Sequence, residues 1–362
     1  MRLWTLGLMA CGRVAEVPVE PVDPVAWALD PGPYQAGYRE SEVVYDPGDG
    51  SGERALRLAI WYPTADQTGG EVRYLGVFEA PDVLDAPTPA ALDALPLAVF
   101  SHGHQGFAES FGVVCSHLAR RGWVVVAPDH TGNTTFDNPT RLTPIYAHRQ
   151  QDISATLDHV MGGGEPWLPS VASEALGIGH SFGGYTMLAL AGAAYDVDRW
   201  EQACPVSGDD DGFCSTWGPD DPARFRAGFR DPRITAVVLA ASGDFGLFGA
   251  AGVAQVEVPV LNLTGGLDAG KVEENEWIWD ALPDEAWRAH NTRGGHLACA
   301  DFAGTAVEVD EGVMDGSRSL RICKAYTMGF AGDQFGNFGP GVLDPSVTVD
   351  DAVELSYRGA DR

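Results

Sequence analysis

Ser181 lies in a sequence that is typical of a catalytic serine. Gly179, Ser181 and Gly183 form a Gly-x-Ser-x-Gly motif, which follows a strand-like apolar stretch and precedes a helix-like run of small residues. Glycines on both sides of such a serine allow a sharp turn between a strand and a helix, with the hydroxyl exposed at the turn. The chain contains 45 glycines, so the motif alone could mark an ordinary turn. Its position between a strand and a helix predicts that Ser181 is a nucleophile.

Two further residues have the types that a serine nucleophile requires. Asp268 lies in the turn after an apolar stretch at residues 258–265, and His296 follows a stretch that ends at Thr292. A neutral imidazole accepts the hydroxyl proton, and a carboxylate on its other nitrogen holds the required tautomer. The chain order Ser, Asp, His is the order of an α/β-hydrolase triad. Asp244, which follows the neighbouring strand, remains an alternative to Asp268 as the acid.

The negative charge that develops on a carbonyl oxygen requires fixed backbone donors, known as an oxyanion hole. We assign this role to the N–H groups of Phe182, the residue after the serine, and of His104, in the loop after an earlier strand.

Two of these loop residues also suggest a zinc site. His102 and His104 would begin a His-x-His-x-Asp-His motif, but Gly106 and Phe107 occupy the positions of the further ligands. We therefore expect His102 to hydrogen-bond the backbone and shape the oxyanion loop, and His104 to contribute its amide. No metal or other cofactor is predicted.

The elements that must carry these residues alternate along the chain. Helix-like segments separate five strand-like apolar runs, at residues 96–103, 123–129, 175–179, 234–241 and 258–264. This alternation predicts an α/β fold, with a mostly parallel central sheet of about eight strands and helices on both faces. The candidate residues follow strands, at the carboxyl edge where such sheets bind ligands.

Two charged groups are expected to have no role in a site. Arg149 and Asp152 lie three apart on a predicted helix, and we expect a surface ion pair of small value. Residues 209–212, Asp-Asp-Asp-Gly, lack the ligand spacing of an EF-hand and are predicted to be a solvated acidic loop.

Several motifs together resemble a known family. They are Ser101-His-Gly103 with Gly106, Ala127-Pro-Asp-His130, Arg149-x-x-Asp152, Gly179-His-Ser-Phe-Gly-Gly184, and Gly295-His296 followed by Asp301. These motifs are similar to those of the bacterial predicted dienelactone hydrolases, a branch similar to platelet-activating-factor acetylhydrolases. The resemblance implies an α/β-hydrolase carboxylesterase with a Ser-Asp-His triad and no cofactor. His104 and Gln105 depart from the family's pattern, which leaves the substrate preference open, and Ser181 differs from the cysteine that true dienelactone hydrolases often use.

We therefore predict a serine carboxylesterase or lipase-like hydrolase that cleaves small or lipid-like esters through an acyl-enzyme. An acyltransferase would use the same residues, and a non-catalytic, surface-anchored binding protein on a hydrolase scaffold is a further alternative. The formal net charge of −28 disfavours nucleic acids and anionic membrane surfaces as partners.

The two ends of the chain are predicted to lie outside the catalytic domain. Residues 1–11 resemble a bacterial lipoprotein signal ending at Cys11, and residues 12–33 would be a tether. The hydrolase domain would span residues 34–331, followed by an acidic, glycine-rich tail at residues 332–362. A lipidated Cys11 would anchor an exported protein to a membrane, although a secreted or periplasmic protein, or a cytoplasmic one with a disordered leader, remains open.

An insertion at residues 195–231 is predicted to form a cap over the pocket. Its aromatic residues would either line the underside of the cap or form its own small core: Trp200, Phe213, Trp217 and Phe225. Spacing favours two local disulfides with Cys115 buried in a helix, namely Cys204 with Cys214 and Cys299 with Cys323, although sequence does not determine connectivity.

Overall fold

A computed structural model describes residues 22–137, 143–204, 212–301, 312–336 and 341–359. The strands are β1 (Gln35–Tyr45), β2 (Arg54–Thr64), β3 (Gly70–Tyr74), β4 (Phe78–Asp85), β5 (Leu95–Ser101), β6 (Val124–Pro128), β7 (Val171–His180), β8 (Ile234–Ala240), β9 (Val260–Gly265), β10 (Ala286–Asn291) and β11 (Val353–Arg358). The α-helices are α1 (Pro24–Leu29), α2 (Gly112–Arg120), α3 (Thr143–Met161), α4 (Phe182–Leu190), α5 (Val197–Ala203), α6 (Asp221–Ala227), α7 (Gly249–Val253), α8 (Val272–Ala281) and α9 (Gly316–Gln334). Short 3-10 helices span Ala108–Phe111 and Phe245–Leu247.

The described strands form one mixed sheet of eleven, in the order β11-β10-β9-β8-β7-β5-β6-β2-β1-β4-β3. The six strands from β10 to β6 are parallel to one another. Antiparallel pairs lie outside them, β11 on β10 at one end and β2 on β6, β1 on β2 and β3 on β4 towards the other. The α/β architecture is confirmed, but the prediction of about eight mostly parallel strands is wrong in number and in the share of parallel pairing.

Two of the outer strands that were not predicted, β1 and β11, lack the continuous apolar sequence of a strand buried on both faces. In β1 the second half alternates between half-buried and exposed residues, and β11 alternates from Val353 to Tyr357. The central strand β6 is buried at every position, which is the pattern that the apolar runs reveal. The sequence therefore predicts the central strands and misses those at the borders.

Two hydrophobic cores cover the two faces of the sheet. In β5, Leu97 and Val99 belong to the core that includes side chains of α3 and α4, whereas Ala98 and Phe100 belong to the core that includes α2 and α9. Successive side chains of a strand point to opposite faces, so one apolar run supplies both cores. Helices on both faces confirm this part of the predicted fold.

Both predicted terminal segments contribute to the domain. Helix α1, within the predicted tether, packs against α9, and the carbonyl oxygen of Ala28 accepts a 2.8 Å hydrogen bond from His117 Nε2. Strand β11, within the predicted tail, pairs with β10 along its length. These parts of the tether and tail are corrected, because their backbone and apolar groups are satisfied by the domain itself. The predicted signal and Cys11 lie outside the described residues.

The cysteines pair as the spacing suggested. Cys204 is bonded to Cys214, Cys299 is bonded to Cys323, and Cys115 is a buried free thiol. The first bridge lies in the insertion, whose aromatic side chains pack on one another and join the main core on one face of the sheet, where Phe213 contacts Tyr146. The ring of Phe213 lies 5.1 Å from Trp200, 5.3 Å from Trp217 and 5.2 Å from Phe225 between centroids. Most of the predicted acidic loop, residues 209–211, is outside the described residues, as are 205–208.

No helix within the described ranges combines the length and the apolar character that crossing a bilayer would need.

Candidate active site

The turn between β7 and α4 holds Ser181 in a strained conformation. Ser181 has φ 53° and ψ −120°, a backbone region that side-chain-bearing residues seldom occupy. A Cβ atom added to Gly179 would lie 2.3 Å from the carbonyl oxygen of Gly183, and one added to Gly183 would lie 1.9 Å from that of Ser101. The two glycines of the motif are therefore required because backbone passes directly against them. Ser181 thus has the strand-turn-helix geometry that was predicted for it.

Ser181, His296 and Asp268 form a hydrogen-bonded line. Ser181 Oγ lies 2.9 Å from His296 Nε2, and His296 Nδ1 lies 3.0 and 3.1 Å from the two carboxylate oxygens of Asp268. A carboxylate only accepts, so Nδ1 carries the proton and Nε2 is left to accept the serine hydroxyl hydrogen. Asp268 is 2% exposed, while the side chain of His296 is 38% exposed and reachable from solvent.

Each member of this line follows a different strand of the parallel part of the sheet. Ser181 comes directly after β7, Asp268 comes three residues after β9, and His296 lies in the loop after β10. The carboxyl ends of parallel strands meet at one edge of the sheet, which brings together residues far apart in the chain. Asp244, the alternative acid, lies at a left-handed position after β8, whereas the ring of His296 bonds Asp268. Both aspartates satisfy the chain order Ser, Asp, His, and the geometry brings Asp268 to the histidine.

The loop after β5 passes close to the serine. A Cβ atom added to Gly103 would lie 3.1 Å from Ser181 Cβ, so only glycine brings this backbone so near without displacement. His104 follows in a turn closed by a 3.0 Å hydrogen bond from Gly106 N to Gly103 O. Phe182 is the first residue of α4, directly after the serine. The structure thus brings both predicted oxyanion donors, His104 and Phe182, to the neighbourhood of Ser181.

The ring of His102 hydrogen-bonds backbone, as predicted. Its Nδ1 lies 2.7 Å from Gly103 O, and its Nε2 accepts a 3.0 Å hydrogen bond from His130 N. The ring of His104 accepts a 2.8 Å bond from Asn133 Nδ2. Both rings are hydrogen-bonded within the protein, in part to the segment after β6, and the described residues contain no group of three or more His, Cys, Asp or Glu side chains that could hold a metal ion.

His180 supports the loop that carries His296, a role that the sequence did not reveal. Its Nε2 lies 2.9 Å from the carbonyl oxygen of His296, which can only accept, so His180 donates. Burial, together with the nearby His296, lowers the pKa of His180 to about 4. His180 is therefore neutral near pH 7 and holds the loop by a hydrogen bond. The sequence signal that could have indicated a role for His180 is its position inside the motif, between Gly179 and Ser181.

The predicted surface pair of Arg149 and Asp152 is wrong, because both side chains are fully buried. They belong to a polar network beneath the predicted oxyanion loop, and each has partners distant in sequence. The face of helix α3 that carries Arg149 and Asp152 is directed at the sheet. Residues distant in sequence supply the hydrogen-bond partners of both charged groups. No spacing rule within the helix could have revealed those partners.

Arg149 binds four acceptors at the base of the loop. Its guanidinium donates to Thr186 Oγ1 at 3.1 Å, to Asn133 Oδ1 at 2.7 Å and to Ser101 Oγ at 3.0 Å, and also to the carbonyl oxygen of His102. Because Asn133 Oδ1 accepts from Arg149, its amide nitrogen is the atom that faces His104. The guanidinium thus connects α3, α4 and the predicted oxyanion loop.

Asp152 is the buried anion of the same network. Arg54 donates to both of its oxygens at 3.0 Å, Tyr45 Oη donates at 2.6 Å, and His130 Nδ1 donates at 2.9 Å. Burial acts to raise the pKa of Asp152, but the hydrogen bond from His130 and the charge of Arg54 outweigh it and lower the pKa to about 2. Burial, and then the charge of Arg149, lower the pKa of His130 to about 3. His130 is therefore neutral, and its Nε2 accepts from the Ser101 hydroxyl at 2.9 Å.

Asp301 connects the His296 segment to helix α2. Its carboxyl group accepts hydrogen bonds from Val113 N at 3.0 and 3.3 Å, and its own N–H donates to Ser110 O at 3.0 Å. Burial raises the pKa of this carboxyl to about 7. The disulfide between Cys299 and Cys323 ties the same segment to α9. The segment that carries His296 is thereby attached at two further points.

The chain has the α/β-hydrolase fold. A ferulic acid esterase from Streptomyces cinnamoneus superposes with a TM-score of 0.64 at 19% sequence identity, covering 89% of this chain and 96% of that one. The sequence model of platelet-activating factor acetylhydrolase, isoform II, matches residues 53–143, about a quarter of the chain. This segment runs from β2 through the His104 loop to the start of α3, and agrees with the acetylhydrolase resemblance. No curated protein matches the chain.

Proposed function

We propose that this protein is a serine carboxylesterase that acts through an acyl-enzyme. The observation that carries the proposal is the continuous contact from Ser181 Oγ through His296 to the buried Asp268, with spacings of 2.9 and 3.0 Å. Such a line, at a strained serine on an α/β-hydrolase sheet, has the geometry that makes a serine hydroxyl nucleophilic. The acetylhydrolase match and the esterase fold neighbour support the same class of reaction.

The first half-reaction transfers the acyl group to the serine. Ser181 Oγ forms a bond to the carbonyl carbon while His296 Nε2 takes the hydroxyl proton. The resulting imidazolium is stabilised by the negative charge of Asp268, whose own side chain is buried at 2% exposure. When the tetrahedral intermediate collapses, the carbon–alkoxy bond breaks and the alcohol leaves with the proton from His296.

In the second half-reaction, water hydrolyses the acyl-enzyme and releases the carboxylic acid product through the same steps in reverse. His296 takes a proton from water as the water oxygen attacks the acyl carbon, and Ser181 leaves with that proton. In both halves the carbonyl oxygen carries negative charge, which the N–H groups of His104 and Phe182 are proposed to stabilise. One such donor contributes about 100- to 1,000-fold in turnover.

The test is covalent labelling with a fluorophosphonate, followed by hydrolysis of a small p-nitrophenyl ester. We expect one label per chain at Ser181, and a loss of several orders of magnitude in kcat for Ser181→Ala and for His296→Ala. Hydrolysis that persists in either variant would exclude the mechanism.

The acid is tested by a matched pair of substitutions. Asp268→Ala is expected to lower kcat by orders of magnitude, because the imidazole loses its orienting partner. Asp244→Ala, at the next strand end, is the control and should retain most of the activity. If Asp244→Ala lowers kcat more than Asp268→Ala does, the acid that orients His296 is Asp244.

We also propose that the protein is exported, as the predicted signal at residues 1–11 indicates. The two disulfides support this proposal, since such bonds persist in oxidising compartments and are rare in the cytosol. Fractionation of cells that express the full chain tests it. Recovery of the protein with reduced cysteines in the cytoplasmic fraction would contradict it.

A further inference from the structure

Three phenylalanine rings contact one another in a row beside the predicted oxyanion loop, with the two outer rings exposed and the middle ring, Phe107, buried. Phe136 is 67% exposed and Phe78 is 39% exposed, and both contact the more buried ring of Phe107. The rings of Phe78 and Phe107 are stacked, 5.7 Å between centroids and 10° between planes. Phe136 lies 6.5 Å from Phe107 at 49°. We call these three residues the aromatic strip.

Exposure of these rings is unusual for this chain. Among the described residues, six large hydrophobic side chains are exposed, and Val77, Phe78 and Phe136 are three of them. Exposed apolar surface is costly to hydrate, and a contiguous patch of it on a soluble domain commonly marks a binding site.

The strip is joined to the oxyanion loop by backbone contacts. Gly106 pairs with Thr134 as an isolated parallel bridge, and Thr135 N donates to Gly106 O at 3.3 Å. The hydroxyl of Thr135 donates to the carbonyl oxygen of Gln105, the residue after His104. Phe136 therefore comes directly after Thr135, which is hydrogen-bonded to Gln105 and Gly106, close to the predicted oxyanion donor His104.

The loop that carries Phe136 is held in place by its own hydrogen bonds. Asp137 accepts from Gly132 N at 2.6 Å and from Thr134 N at 2.8 Å, and Thr134 Oγ1 accepts from Phe136 N at 3.1 Å. A ring on such a loop is presented without a large loss of backbone freedom on binding, which favours affinity.

We propose that the aromatic strip binds a planar aromatic group of the ester substrate, beside the carbonyl that Ser181 attacks. This inference rests on the proposed function and names the substrate class for that site. Aromatic rings in offset or edge-to-face contact attract each other beyond the effect of the area they bury, so a phenyl group should bind these rings more strongly than a cyclohexyl group of similar size. The net charge of −28 disfavours docking of this surface on an anionic bilayer.

The experiment compares matched esters that differ only in aromaticity. One pair consists of 3-phenylpropanoate and 3-cyclohexylpropanoate esters of the same alcohol, and the other of phenylethyl and cyclohexylethyl acetates. We expect kcat/KM of the wild-type protein to favour the phenyl member of at least one pair by a factor of about 2 to 10. Phe136→Leu and Phe78→Leu should reduce that ratio towards one, mainly through KM.

Val44→Thr is the control, because Val44 is 51% exposed and lies on β1, outside the strip. It should leave the phenyl-to-cyclohexyl ratio unchanged. An unchanged ratio in both phenylalanine variants, or a wild-type ratio of one in both pairs, overturns the strip proposal.

Two further outcomes separate this inference from the proposed function. Fluorophosphonate labelling and ester hydrolysis without aromatic preference would overturn the strip alone and leave the esterase in place. Absence of both labelling and hydrolysis would overturn the esterase and the strip together. If the phenylalanine variants instead lose binding to phosphatidylcholine vesicles at an unchanged ratio, the strip binds lipid and the aromatic assignment is wrong.

Discussion

Arg149 Nη2 lies 3.0 Å from Ser101 Oγ, and this contact joins the buried cation of helix α3 to the last residue of β5. The next two residues are His102, whose carbonyl oxygen Arg149 also binds, and Gly103, which passes against Ser181. The position of the oxyanion loop thus depends on a charge buried beneath it. The partners of that charge come from strands and helices far apart in the chain.

Replacing Arg149 tests whether the position of the predicted oxyanion loop affects kcat when Ser181 and His296 are unchanged. Arg149→Met leaves the carbonyl oxygen of His102 and the amide oxygen of Asn133 without their buried donor, and each buried acceptor left unsatisfied costs about 1–3 kcal/mol. We expect a lower Tm and, at temperatures where the variant remains folded, a lower kcat with a smaller change in KM. Arg149→Lys should recover stability only in part, because an ammonium cannot reach all four acceptors.

The control for Arg149 is Arg73→Met. Arg73 forms an exposed pair with Glu79 at 3.1 Å, and such pairs contribute about 0–1 kcal/mol. A folded Arg149→Met variant with wild-type kcat would show that the network supports stability and has no effect on the loop's position.

Gly184 and Ser242 should behave as a coupled pair. A Cβ atom on residue 184 would lie 1.8 Å from Ser242 Oγ and 2.2 Å from Ser242 Cβ, so Gly184→Ala overpacks the contact between α4 and the segment after β8. We expect a loss of about 1–3 kcal/mol in the free energy of unfolding. Ser242→Gly removes both clashing atoms, and the next contact is 3.4 Å away. The double variant should therefore recover most of the stability, as measured by chemical denaturation.

Gly246→Ala is the matched control, because a Cβ atom there meets nothing within 4 Å. It should leave stability near that of the wild type. Additive losses in the double variant would show that the clash is relieved elsewhere.

The side chains of His117 and Asp301 are expected to affect the pH dependence of the free energy of unfolding in opposite directions. Burial, together with nearby cations, lowers the pKa of His117 to about 4, so between pH 4 and 6.5 the unfolded chain binds more protons there than the folded one. Stability from this group is lost as pH falls. The raised pKa of Asp301, about 7, has the reverse effect: its contribution is complete below pH 4 and is lost as pH rises through 7.

The measurement is the free energy of unfolding between pH 4.5 and 6.5. His117→Gln should flatten the decline of stability towards low pH, by at most one proton, or about 1.4 kcal/mol per pH unit. Asp301→Asn should make the decline towards low pH steeper. Equal slopes in the two variants, or changes of the same sign, would contradict the assigned burial of one or both groups.

Local sequence was sufficient to predict the strand, turn and helix around Ser181, the proposed nucleophile. A Gly-x-Ser-x-Gly motif between an apolar strand and a small-residue helix is dictated by close backbone contacts, which the structure has at Gly179 and Gly183. The central parallel strands were predictable because strands buried on both faces are apolar throughout. The order of Ser181, Asp268 and His296 along the chain then indicated the hydrolase class.

Only tertiary structure could decide which polar residues are buried and what they meet. Arg149 and Asp152 have the spacing of a surface pair, but their partners Ser101 and Arg54 lie on other elements, so spacing within one helix carries no information about them. The edge strand β11 and the aromatic strip arise in the same way, from residues brought together by chain folding. A site residue that is fixed by a local backbone turn can be predicted from sequence. A residue whose role depends on burial and on contacts distant in the chain can be identified only from the tertiary structure, because the folded sheet brings its partners together.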